Sequence, residues 1–132
     1  MTDVDVLART LFGEARGESR IGMIAVANVV MNRVAARRWW GRTVPEVCQK
    51  PYQFSCWNQN DPNRAVILAV NASHPIFAQA LAIAADAVAG TLADVTNGAV
   101  AYYARGTPQP KWAAGHIACA EIGHHIFFDD IQ

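Results

Sequence analysis

The sequence predicts an α+β domain, a helical body carrying a small antiparallel sheet made by the C-terminal strands. Three observations lead there. Apolar residues recur at three- and four-residue steps as far as Asn97-Gly98. Beyond that dipeptide the period changes to two. The order is therefore helices first and strands last, which segregates the two classes instead of alternating them. With 132 residues, the chain suits one domain over 1–132 built around a single core.

Asp3 is positioned to cap a first helix from Val4 to about Arg16, and Gly17 reads as its stop. Ser19 should cap a second helix, from Ile21 to about Arg37, with Ile, Val, Met or Ala on more than one side of nearly every turn. Such a helix is buried on most of its surface and central. Asn28 and Asn32 share a face within it, and buried amides need partners. They either tie down neighbouring loops, the preferred reading, or line a cleft. Trp39-Trp40-Gly41 opens a less regular region, with a short helix after Thr43 that takes Pro45 in its first turn. Lys50 to Asn63 has neither period and is long for a loop. A short helix follows from about Asn63 to Val70. A longer one is capped near Ser73, has Pro75 in its first turn and ends at Ala89 before Gly90. Ile76, Phe77, Ala80, Leu81, Ala84 and Val88 should form its buried face. Ala99 to Ala104 reads as a strand, and Ile117 to Ile122 with His125 to Phe128 as a hairpin around Gly123-His124. No internal repeat or low-complexity tract is present.

Composition narrows the function. The apolar fraction is 52% with 17% charged residues, on the globular side of average usage, and eleven acidic residues balance eleven basic ones. Zero formal charge gives no long-range attraction to nucleic acid or anionic lipid, so neither is expected as a partner. Arg33, Arg37, Arg38 and Arg42 make a local basic cluster, read as complementing a helix end. Met1-Thr2-Asp3 does not resemble an export signal, and synthesis in the cytoplasm is expected. Met23 to Met31 and Ala65 to Val70 are too short to span a bilayer, so no membrane anchor is expected. Cys48, Cys56 and Cys119 are read as reduced and mostly buried, with a Cys48–Cys56 bridge as the alternative. A monomer is expected.

Glu14 carries the chemistry. Val4, Leu7, Leu11 and Glu14 step by three and four, which puts Glu14 only about 20° from the azimuth of Leu7. Its carboxyl should face the protein. It also lies in the last helical turn, where the helix dipole disfavours a further negative charge. Both effects raise a pKa, and a glutamic acid protonated near neutrality can donate a proton to a leaving oxygen, as in glycoside cleavage. The alternative is a rim carboxylate neutralised by Arg9 or Arg16. In the 50–63 segment, Tyr52, Gln53, Phe54, Trp57, Asn58, Gln59 and Asn60 combine aromatic faces with amides, which suits sugar rings as well as it suits a loop pinned to the core by Phe54 and Trp57. Tyr102 and Tyr103 should point to opposite faces of one strand, so that at most one reaches a cleft. His74, His116, His124 and His125 show no zinc spacing, and no metal or other cofactor is expected.

Ala8-Arg-Thr-Leu-Phe-Gly-Glu-Ala-Arg-Gly-Glu18, then Gly22-Met-Ile-Ala-Val-Ala-Asn-Val-Val-Met-Asn-Arg33, strongly resembles the opening of the SleB/CwlJ-type cell wall hydrolases. Tyr52-Gln-Phe-Ser55, Asn97-Gly-Ala-Val-Ala-Tyr-Tyr103 and Ile122-Gly-His-His-Ile-Phe-Phe128 continue the resemblance across essentially the whole chain. It implies a lysozyme-like domain that cleaves the bond between N-acetylmuramic acid and N-acetylglucosamine in peptidoglycan glycan strands, as a lytic transglycosylase or a muramidase. The family's essential glutamate falls on Glu14. A transglycosylase uses the sugar's own C6 hydroxyl as attacker, gives a 1,6-anhydro product and needs no second carboxylate. Glu18 and Glu121 are the candidate second carboxylates for the water-dependent alternative, although Glu18 more simply caps the second helix or pairs with Arg16 or Arg20. Gln53, Phe54, Ser55, Trp57, Tyr102, Tyr103 and His125 are the candidate substrate-binding residues, with a structural hydrogen bond near the site preferred for His125.

Neither the signal peptide nor the wall-binding repeat of the spore enzymes is expected from this sequence, and the expectation that follows is a phage- or prophage-type lysin reaching the wall by holin release, or a virion component. Two other classes stand beside this one. A lysozyme-like module of a phage particle could bind peptidoglycan without cutting it, but the glutamate argues against that. An amidase or peptidase would need zinc or a Cys/His pair, and Cys48 and Cys56 have no evident partner.

Overall fold

The computed structural model describes all residues 1–132. It is an α+β molecule, 49% helical, with one small antiparallel sheet. The first helix, α1 (Asp3–Ala15), is capped by Thr2 instead of Asp3: the Thr2 hydroxyl accepts from the Asp5 amide at 3.1 Å. The cap one residue earlier leaves Asp3 and Asp5 in the first turn, where carboxylates favour the dipole. Helix α2 (Arg20–Ala36) starts at Ser19, whose hydroxyl accepts from the Gly22 amide at 3.3 Å, and ends where Arg37 turns left-handed at φ 57°. It is buried without interruption from Gly22 to Val30, as a central helix must be.

The two asparagines of α2 tie down the segment that leads into the sheet. Asn28 donates to the Ala93 carbonyl and accepts from the Val95 amide, at 3.1 and 2.9 Å. Asn32 donates to Asp94 and to the Ala99 carbonyl, at 3.0 and 2.9 Å. Arg33 departs from the basic cluster read in the sequence. Only 8% exposed, it turns inward, donates to the Val100 carbonyl at 2.6 Å and lies over the Trp40 and Phe54 rings. Trp40 in turn donates to the Arg33 carbonyl at 2.8 Å.

Helix α3 (Val44–Gln49) is capped by Thr43 and carries Pro45 in its first turn. The long loop after it holds one 3₁₀ turn at Ser55–Trp57 before α4 (Pro62–Ala69), which Asp61 caps. Helix α5 (Pro75–Ala89) is capped by the His74 ring, which accepts from the Ile76 amide at 3.1 Å; the expected cap, Ser73, instead bonds Asn71. Its buried side is Phe77, Ala80, Ile83, Ala84 and Ala87. Ile76 and Val88, expected inside, lie at the rim at 37% and 38% exposure, because the helix is rotated to set its alanines against α1 and α2.

The sheet consists of β1 (Ala101–Ala104), β2 (Ala120–Ile122) and β3 (His125–Phe128), in the order β1-β3-β2. Its strands are shorter than the period suggested. Ala99 and Val100 precede β1, and 117–119 approach as an irregular segment with Ile117 85% exposed. Tyr102 pairs with Phe127 and Ala104 with His125, which places Tyr102, His125 and Phe127 on the inner face against α2. All three cysteines are free, so the Cys48–Cys56 bridge does not form. No helix is long and apolar enough to cross a membrane.

Gly13 decides how closely the long loop approaches α1. A Cβ there would lie 2.6 Å from Cys56 Cβ, 2.7 Å from its sulfur and 3.0 Å from Ile67. Gly13→Ala should therefore destabilise the fold by about 1–3 kcal/mol despite alanine's higher helix propensity. Thermal unfolding measures this, and an unchanged or raised Tm would show that the approach is not tight.

Candidate active site

Glu14 stands in the last turn of α1, partly buried, beneath β1. The Tyr102 hydroxyl, 88 residues away in sequence, donates to Glu14 Oε1 at 3.1 Å. From the other side Cys56, brought close by Gly13, offers its backbone and thiol hydrogens. Burial holds the Glu14 carboxyl above its ordinary 4.5, although the bonds from Tyr102 and Cys56 pull it down, and the nearby Asp61 pushes it further up. Arg9 and Arg16, the neutralising partners weighed in the sequence, are engaged elsewhere. Arg9 bonds Asp5 and the carbonyls of Ile67 and Val70, and Arg16 bonds Asn63 and the Phe12 carbonyl. Burial, and then Glu14 itself, raise the Tyr102 phenol well above its usual value, so it remains a donor.

The two tyrosines part as alternation requires. Tyr102 reaches Glu14, whereas Tyr103 stacks on Phe128 at 5.9 Å and meets Trp112 edge-on, on the outer face. Glu121 pairs across with Ile126 on that same outer face, well exposed, and lies 3.6 Å from Arg105. Glu18 faces neither Arg16 nor Arg20. Its carboxylate accepts from the His124 amide at 2.9 Å, meets His124 Nδ1 at 2.6 Å and lies 3.5 Å from His125 Nδ1. Burial pushes Glu18 upward, but the His124 bonds and the neighbouring histidine charges outweigh it and hold the carboxyl below its ordinary range.

A cleft of about 320 Å³ opens beside Tyr102, lined by Arg33, Trp39, Tyr52, Gln53 and Trp112 among others. A second depression of about 460 Å³ continues past Tyr52 along Trp57, Asn58, Gln59 and Asn60. Of the loop residues singled out, Gln53 lines the first space and Trp57 the second, its indole anchored to Thr10 at 2.9 Å. Phe54, at 2% exposure, belongs to the core, and Ser55 is exposed on the 3₁₀ turn. His125 packs against Tyr102 at 4.8 Å, and its Nδ1 is buried without a hydrogen-bond partner. Sequence reasoning missed Asp61, Trp39 and Trp112. Asp61 read only as a loop residue, and the exposed tryptophans carried no periodicity that could orient them. No group of His, Cys, Asp or Glu converges as a metal site would need. Burial also raises both thiols near the site, Cys48 to about 12, which leaves them poor nucleophiles.

A family profile described as Cell Wall Hydrolase matches residues 17–128, and the chain belongs to that family. Its similarity extends to the spore cortex-lytic enzymes of Bacillus cereus, 30% identical over 95% of this chain and 43% of that protein, and of Bacillus subtilis, 30% identical over 95% and 37%. The chain thus spans about two fifths of the length of these curated relatives. Among solved structures, the catalytic domain of the Bacillus cereus SleB protein superposes with a TM-score of 0.75 at 28% identity, covering 96% of this chain and 88% of that one. The catalytic domain of a germination-specific lytic transglycosylase, SleB from Bacillus anthracis, gives 0.74 at 28% identity, covering 96% and 93%.

The raised Glu14 pKa has a consequence for stability. The native state holds this proton more tightly than the unfolded chain, so stability falls as pH rises from the ordinary 4.5 through the raised value. Glu14→Gln removes that dependence. Its Tm should match the wild type in acid and exceed it increasingly towards neutral pH. A difference in Tm that stays flat with pH would mean that Glu14 titrates as an ordinary surface carboxylate.

Proposed function

We propose that this chain cleaves the glycan strands of peptidoglycan at the bond between N-acetylmuramic acid and N-acetylglucosamine, as a lytic transglycosylase with Glu14 as its single acid and base. The observation that carries this reading is the half-buried Glu14 carboxyl, bonded at 3.1 Å by the hydroxyl of Tyr102, a residue that lines the cleft with Trp39, Tyr52, Gln53 and Trp112. Membership of the cell wall hydrolase family, and the likeness to a domain named as a lytic transglycosylase, support the same substrate and reaction.

The protonated Glu14 donates to the glycosidic oxygen as the bond to muramic C1 breaks through an oxocarbenium-like state. The carboxylate left behind accepts the proton of the muramic C6 hydroxyl as that oxygen closes on C1, which gives the 1,6-anhydro ring and regenerates the acid. No water enters, and proton and charge balance over the cycle. Tyr102, a donor to Oε1, steadies the carboxylate between the two transfers. The commitment of Glu18 to His124 and of Glu121 to the outer face supports a mechanism with one carboxylate. Trp57, Tyr52 and Trp39 offer ring faces to sugars, and Gln53, Asn58 and Gln59 offer amides. In this reading Tyr103 and Phe54 serve packing, since stacked rings and the core already enclose them. The site of action is the bacterial cell wall.

One observation favours a second reading. Asp61 lies near enough to Glu14 to raise its pKa, and although one oxygen caps α4 by accepting from Asn63, it is the carboxylate available to activate water in a muramidase.

Glu14→Gln should lower the rate of turbidity loss of purified sacculi by about 10²- to 10⁴-fold, the usual weight of a general acid. A variant that still clears the suspension would remove Glu14 from the chemistry. Mass spectrometry of the muropeptides separates the two reactions, because anhydro products are lighter than hydrolysed ones by one water. Asp61→Asn should leave the anhydro yield largely intact. Hydrolysed products, lost together with Asp61, would establish the muramidase.

A further inference from the structure

The buried Glu18 carboxylate has no part in the proton transfers proposed for Glu14, yet the fold makes room for it twice. Its side chain is 9% exposed. A Cβ on Gly22 would lie 2.9 Å from Glu18 Cβ, and a Cβ on Gly123 would lie 2.7 Å from its Oε1. Gly123 also holds φ 58°, the left-handed conformation that lets the β2–β3 turn present the His124 amide. Glu18 is thus received by a turn shaped around it, more than a hundred residues along the chain, where it takes both the amide and the ring of His124.

The contact leads to the site through one side chain. His125, next to the clamped residue, sets its Nδ1 3.5 Å from Glu18 Oε1 and its ring against Tyr102 at 4.8 Å. Tyr102 has Phe127 at 5.6 Å on the same face, and its hydroxyl ends on Glu14. Glu14 and Glu18 lie on either side of the α1 C-terminus, so the clamp closes a ring: α1, Glu18, the hairpin, His125, Tyr102 and back to α1.

We propose that Glu18 is a positioning residue for the Glu14 site, fixing the β2–β3 turn to the α1–α2 junction so that His125 holds Tyr102 in register with the Glu14 carboxyl. The inference rests on the reading of Glu14 as the working acid. A 1 Å error in placing such a group costs on the order of 10²-fold in rate, which makes a remote anchor consequential.

The test is a double-mutant cycle between Glu18→Ala and Tyr102→Phe, with Glu18→Gln as the conservative rescue. Glu18→Ala should lower kcat on sacculi by about 10- to 100-fold with KM changed by less than about 3-fold, and Glu18→Gln, which keeps an acceptor, should restore most of it. In the Tyr102→Phe background the same change should have little further effect. The Glu14 carboxyl-carbon NMR titration, read in the folded protein without substrate, should shift in Glu18→Ala and not shift again in the double variant. Additive losses, or an unmoved Glu14 titration in Glu18→Ala, would overturn the proposal. If Glu18→Ala does not fold, His124→Ala runs the same cycle, since that ring is 79% exposed and its loss leaves the core intact. Should no protein clear sacculi, the catalytic reading falls, while the titration still decides the coupling.

Discussion

The hydrogen bond from Tyr102 to Glu14 is the contact on which the rest of the architecture depends. It joins the end of the first helix to the first strand, and both partners lie where water has been largely removed. A carboxyl in such a place resists ionisation, and a phenol beside it resists deprotonation more strongly still. Burial thus shifts both groups towards their protonated forms, the carboxyl against the pull of its own hydrogen bonds. Three separate features maintain that state. The absence of a side chain at Gly13 admits Cys56, Arg9 and Arg16 are drawn to carbonyls and amides away from the carboxyl, and the sheet is laid on α2 through Phe127, Ala25 and Val29.

Charge placement explains why so polar a motif can sit so close to the core. Arg33, the buried cation at the cleft wall, is solvated by the Val100 carbonyl and by the faces of Trp40 and Phe54 instead of by a counter-ion. Glu18 is solvated by His124. The Val100 carbonyl and His124 both come from distant parts of the chain, so satisfying each charge and closing the tertiary structure are one event. The arrangement brings a helix end, a hairpin and an aromatic loop together around one acid in a chain of the cell wall hydrolase family.

The helical body was readable from residues alone because its signals are local. Ser19, Thr43, Pro45, Pro75 and Gly90 act within one turn of themselves, and the unbroken apolar run of α2 fits only a central helix. The errors share a cause as well. Thr2 displaced Asp3 and His74 displaced Ser73 because neighbouring side chains compete for the same amides, and the buried side of α5 turned because alanines pack closer than Ile76 or Val88 allow. The strands came out short because their pairing partners, not their own period, decide where a ladder starts.

Sequence by itself determined the fold class, the inward direction of Glu14 and the opposed faces of Tyr102 and Tyr103, since helical and strand periods fix azimuth without reference to any other element. Only the tertiary structure decided which tyrosine meets the acid, that Glu18 answers to His124, that Arg33 turns inward and that Asp61 comes near Glu14. Those outcomes depend on distances between segments separated by tens of residues, and periodicity within a segment says nothing about which other segment it will touch.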